Sequence, residues 1–178
     1  MMPIGPLMIE HRLIEKMIAV WEAEIEKMSK YSKANPLFID IAVDFIRMYA
    51  DKTHHGKEED ILFRDLQKKA LSPNHDKIMK ELVEEHIWAR GIVGKLVAAK
   101  DQYVKGDPSA LTIIIELMKE LVEFYPDHIK KEDKYFFISV MSYFSEEEQA
   151  IMLQEFWDFD KTLIHLKYKN VVDALQNK

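Results

Sequence analysis

The 178 residues suffice for one domain with a sizeable core, and 48% apolar with 31% charged residues is the balance of an ordinary globular chain rather than a disordered one. A formal charge of -6 argues against an electrostatic nucleic-acid binder, which needs a basic face. The chain has no cysteine. That excludes disulfides, thiolate zinc or iron–sulfur ligation and a thiol nucleophile, so metal or redox chemistry falls to histidine and carboxylate.

Apolar residues recur at helical spacing along most of the chain. Leu7, Ile14, Met17, Ile18, Trp21 and Ile25 mark one face of a first helix, over about 7–31. Asn35-Pro36 reads as an N-cap followed by a first-turn proline and opens a second helix to about 70. Ser72-Pro73 opens a third in the same way, and Gly106-Asp107-Pro108 closes it and starts a fourth near 108. Ser145 with Glu148 is a capping box that begins a fifth helix, over about 145–176. Short connections make consecutive helices antiparallel, so the expected fold is all-α: a single domain, 1–178, with an up-down-up-down four-helix bundle over about 7–140 and an additional C-terminal helix. No apolar stretch approaches the roughly 18 residues of a membrane span. The N-terminal MMPIGPLMIEHR lacks the plan of a signal peptide, and a cytoplasmic protein is the expectation.

The four long helices read as two copies of a helix pair. Glu10-His11 is echoed by Glu85-His86, and the run from His54 to Phe63 by the run from His128 to Phe137, at offsets of 75 and 74 positions. Within each long echo the His, Lys, Glu, acidic residue and Phe occupy the same columns. His54 and Glu58 are four apart and share a helix face, as do His128 and Glu132. At about 1.5 Å per residue, His11 and Glu58 lie about 30 Å from their common turn, and the other turns place His86 and His128 at the same level. Four imidazoles and two carboxylates, His11, His54, Glu58, His86, His128 and Glu132, therefore converge inside the bundle.

Buried charge on this scale must be paired or coordinated. Six such ligands are too many for one tetrahedral zinc, and too nitrogen-rich for magnesium or calcium. Imidazole with carboxylate suits iron or manganese, and two irons sharing Glu58 and Glu132 satisfy the inventory. A di-iron bundle of the ferritin type would instead carry Glu-x-x-His pairs, which are absent from the sequence. His55 lies about 100° round its helix from His54 and is expected to be solvated or to stand behind the ligands. His75 reads as a turn and surface residue, and His165, on the last helix and outside the repeat, as a packing or surface residue. Glu10, Glu59, Glu84, Glu85 and Asp133 read as solvated charge, with any of them able to orient an imidazole. Trp21, Trp88, Phe63 and Phe137 read as core, and Tyr49 and Tyr125 as packed side chains with paired hydroxyls. Gly56 suggests a close helix approach.

The segments IEHRLIEKM, HHGKEEDILF, EEHIWARGIV and HIKKEDKYFF resemble the four signature helices of hemerythrin-like, His-His-Glu cation-binding domains, over about residues 4–140. The C-terminal FWDFDKTLIHLKYKNVV also resembles the extension of bacterial and archaeal members. The resemblance implies a non-haem di-iron cofactor, with manganese or zinc as substitutes, bridged by Glu58 and Glu132 and capped by the four histidines. It further implies a protein that binds dioxygen or nitric oxide for storage, scavenging or sensing, with a redox partner protein and without nucleic-acid or membrane partners. The alternative is a di-iron enzyme or iron donor in nitric-oxide or peroxide detoxification or in iron–sulfur repair. The oxygen carriers of the family place a further histidine four residues from the third-helix ligand, where this chain has Leu82 and Arg90. One iron is thereby expected to be less saturated. The carriers also use an aspartate at the spacing of Asp133, but the register with Glu58 favours Glu132.

Overall fold

The computed structural model describes residues 2–176, and no strand occurs among the described residues. Five helical rods follow in order. α1 is Ile4–Tyr31. α2 spans 36–66 through Pro36–Phe45, Ile46–His55, Glu58–Phe63 and Arg64–Leu66. α3 is Pro73–Val104. α4 spans 110–140 through Ala110–Lys131, Glu132–Phe136 and Phe137–Val140. α5 is Glu146–Gln176.

The boundaries follow from local chemistry. Asn35 Oδ1 accepts the Phe38 N–H at 3.2 Å, and Ser72 Oγ accepts that of His75 at 3.2 Å, so two helix starts recover donors with no intrahelical partner. At α5 the box closes both ways: Glu148 N–H donates to Ser145 Oγ at 3.2 Å, and Ser145 N–H to Glu148 Oε2 at 2.8 Å. Beyond α3 the chain turns at Gly106 with φ of 100°, a conformation that a Cβ would oppose.

α1, α2, α3 and α4 form a ring in which each helix touches its two neighbours, and α5 lies against α2. The core is split in two. One apolar cluster runs from Ile14 to Met28 on α1, Ile39 to Ala50 on α2, Ala89 to Ala99 on α3 and Ile114 to Ile129 on α4. The other takes Ile4 and Leu7, Ile61 to Leu66, Met79 and Leu82, and Phe136 to Val140, joined by Met152 and Phe156 of α5. All four helices leave the same gap between the clusters, and the histidines fill it. Apolar burial above and below thus holds this polar layer at one height.

α2 and α4 depart from regular α geometry at that height. Their backbones widen into π-helical turns over Ile46–His55, Glu58–Phe63 and Glu132–Phe136, the kind of insertion that accumulates at functional sites. α5 closes over the widened part of α2 at Gly56. A Cβ added there would stand 2.7 Å from Cζ of Phe159, so the glycine expected from sequence to allow a close approach does so.

Candidate metal centre

All six side chains that the sequence singles out meet in the layer between the cores. His11, Glu58, His86 and Glu132 are fully buried, with His54 and His128 nearly so. His11 comes from α1, His54 and Glu58 from α2, His86 from α3, and His128 and Glu132 from α4. Each of the two glutamates faces both sides of the layer. Glu58 turns Oε1 to His54 Nε2 at 3.1 Å and Oε2 to His86 Nε2 at 3.4 Å. Glu132 turns Oε2 to His11 Nε2 at 3.0 Å, and Oε1 to His128 Nε2 at 3.4 Å and His86 Nε2 at 3.7 Å. None of these approaches has hydrogen-bond alignment: the four Nε2 atoms and all four carboxylate oxygens are buried without a partner. Orphaned buried polar atoms in such number are expensive. Their inward aim and their nitrogen–oxygen chemistry fit metal cations.

The other ring nitrogens are fully engaged. His11 Nδ1 meets Asp133 at 2.8 Å, His54 Nδ1 meets Glu10 at 2.9 Å, His86 Nδ1 meets Glu59 at 2.7 Å and His128 Nδ1 meets Glu85 at 2.7 Å. A carboxylate on Nδ1 fixes the ring and the tautomer so that the Nε2 lone pair faces inward. Behind each carboxylate stands a cation: Arg12 on Asp133, Lys57 on Glu10, Arg90 on Glu59 and Lys131 on Glu85. These four acids and four bases balance, leaving Glu58 and Glu132 as the uncompensated charge at the centre.

Protonation answers to that charge. Burial opposes a charged His11, yet the carboxylates of Asp133 and Glu132 raise its pKa to about 10. His86 is likewise raised to about 10, against its burial, by Glu132 and Glu59. His54 is raised by Glu58 and Glu10, again against burial. Burial would raise Glu132, but His128, His11 and His86 hold it well below the usual carboxylate range. Protons on the imidazoles are one way to supply the positive charge that two buried glutamates demand, and metal cations are the other.

Several surrounding residues differ from expectation. Glu10, Glu59, Glu85 and Asp133, read as solvated charge, are the four acceptors behind the ligand rings, while Glu84 is exposed. The signal was present, since each is adjacent to a ligand and occupies matching columns of the internal repeat. His55 is 2% exposed rather than solvated. The widened turns of α2 reduce the angle between neighbouring side chains, so both His54 and His55 turn inward. His55 stacks on His86 with ring centroids 3.7 Å apart and planes 10° apart, and ligand atoms of His55, His86 and His128 lie within 4.8 Å of one another. Imidazole lone pairs lie in the ring plane, so two nearly parallel rings do not converge on one point; as seated, His86 is the one aimed at the glutamates. His75 is half-buried and bonds the Tyr143 hydroxyl at 2.9 Å, and Trp88 is 40% exposed rather than core. Phe137 stacks on His11 and Phe63 on His86. Tyr125 is buried as expected, but its hydroxyl has no partner.

A polar layer of imidazole and carboxylate, sealed between two apolar cores and backed by its own charge network, defines a metal-binding helical-bundle protein. The sequence model of the hemerythrin HHE cation binding domain matches residues 2–140, and the chain belongs to that family. Comparisons with curated proteins and with solved structures give no match.

Proposed function

We propose that the chain, as one hemerythrin-like unit, holds two iron ions and takes up dioxygen or nitric oxide for storage, scavenging or sensing. One ion is held by His11 and His54, the other by His86 and His128, with Glu58 and Glu132 offering one oxygen to each. The observation that carries this reading is the set of eight orphaned inward-facing atoms, divided between two groups by two carboxylates that each face both. Iron would supply an electron-rich centre with a position open to a small ligand. The protein's part is to hold the imidazoles by their Nδ1 carboxylates and to exclude bulk water with Phe63 and Phe137. Dedicated apolar packing on both sides of the layer favours small apolar gases over charged substrates. A redox partner protein would act from outside the layer, which the two apolar clusters flank on both sides.

The test is metal analysis of purified, iron-loaded protein, with visible spectra before and after oxygen, nitric oxide and azide. Two irons per chain and a ligand-dependent band are expected. Protein that retains no iron, or iron-loaded protein whose spectrum responds to none of the three, contradicts the proposal.

A further inference from the structure

Lys57 lies between His54 and Glu58 in sequence, and its side chain is fully buried. Its ammonium sits between two carboxylates, Glu10 of α1 and Asp160 of α5, with the two oxygens of Asp160 at 2.9 and 3.1 Å from Nζ. Glu10 gives one oxygen to Lys57 and the other to the Nδ1–H of His54 at 2.9 Å. A line of groups thus runs from α5 to a ring that faces the metal layer: Asp160, Lys57, Glu10, His54. Phe159 against Gly56, and the Phe156 ring with its centroid 5.9 Å from the Lys57 ammonium, seat this part of α5 on α2. The matching position of the internal repeat is wired differently. Lys131 is 29% exposed, and beyond Glu85 it meets Glu81, which shares a helix with Glu85, at 3.5 Å.

A buried ammonium needs its charge met in full, and away from water the partners that meet it are strongly coupled. The share of Lys57 that Asp160 takes is a share that Glu10 does not carry. Glu10 is left with more negative charge for the His54 N–H, and a stronger bond at Nδ1 makes Nε2 a better donor. Building on the two-metal reading, we propose that Asp160 is a positioning residue for the metal held by His11 and His54, setting the ligand strength of His54 through Lys57 and Glu10. α5 begins at Glu146, beyond the family match over residues 2–140, so one metal of the two is tuned from outside the four-helix ring. The His128 side has no such tie to α5, and water screens its Lys131 pairs.

Histidine side-chain NMR of nitrogen-15-labelled, metal-free protein reads the Nδ1 hydrogen bond directly, with His128 as the internal reference. Asp160→Asn removes one charge and should move the His54 Nδ1 proton upfield while the His128 proton stays in place. Asp160→Ala should do the same, and decides the matter should the asparagine variant not fold. A nuclear Overhauser contact between Phe159 and Gly56 reports that α5 remains seated. Zinc titration then measures ligand strength: both variants should lose about tenfold in affinity at one of two sites and nothing at the other, the low end for a group that supports a ligand ring. Glu81→Gln, behind Lys131, should leave both readouts unchanged. An unmoved His54 proton with α5 seated overturns this inference, as does an equal loss at both zinc sites. A proton that moves only when the Phe159–Gly56 contact is lost overturns it too, by making Asp160 a fastening of α5. Wild-type protein that takes up fewer than two zinc ions overturns the two-metal reading and the metal half of this inference, whereas the proton shift in metal-free protein fails or holds separately.

Discussion

Each ligand imidazole is the innermost member of a chain of three groups, followed by a carboxylate and a cation. In His54 the order is metal-facing Nε2, then Glu10 on Nδ1, then Lys57, which is itself fully buried and also reaches Asp160 at 3.1 Å. His128, Glu85 and Lys131 repeat this arrangement one helix pair later. The carboxylate makes its ring a better donor, and the cation keeps the carboxylate ionised. The linkage consequence has a definite sign. His11 and His86 rise from 6.5 to about 10 on folding, so they bind protons more tightly in the folded state than in the unfolded one. The stability they contribute is fully present below 6.5 and is lost as pH rises through about 10. Metal-stripped protein should therefore show a urea midpoint that falls between about pH 7 and pH 10, and iron should remove the fall by taking the protons' place. A midpoint for stripped protein that is flat or rises over this range would contradict the assignment of the protons.

At the scale of elements, the widened turns of α2 and α4 and the contact between α2 and α5 decide what the helices present. Ordinary α-helical spacing sufficed to bring His54 over Glu58 and His128 over Glu132, because a spacing of four keeps two residues on one face even where a turn is slightly loosened. It failed for His55, whose direction depends on the angle per residue, and nothing in residue type announces a π turn. Helix starts were legible because capping chemistry is local: Asn35, Ser72 and Ser145 each make the bond that their positions imply. The Nδ1 acceptors were legible only through their matching columns in the internal repeat, because a single acidic residue beside a ligand reads the same whether it faces water or a ring. Gly56 gives a test at this scale. In an open helix, Gly→Ala stabilises by about 1 kcal/mol, but here the added Cβ strikes the Phe159 ring. Gly56→Ala should lower stability in the wild-type background and raise it in a Phe159→Ala background, as read from denaturation midpoints. Equal stabilisation in both would mean that α5 does not press on α2 at this point.

Across the whole molecule, the two apolar clusters and the polar layer between them are one design seen from two sides. The internal repeat explains why. Glu10 serves His54 and Glu85 serves His128, while Glu59 serves His86 and Asp133 serves His11, so each helix pair supplies the acceptors for itself and for the other. The repeat and the common height of the histidines were visible in the sequence because both are matters of counting. The partition of the oxygens of Glu58 and Glu132 between two groups was not, because it depends on side-chain rotamers. That partition is what two metal ions would require. The measurement that tests it most directly is anomalous X-ray diffraction at the iron absorption edge from crystals of iron-loaded protein. Two peaks per chain are expected, one against His11 and His54, the other against His86 and His128, with Glu58 and Glu132 touching both. A single peak, or iron bound away from these residues, would contradict it.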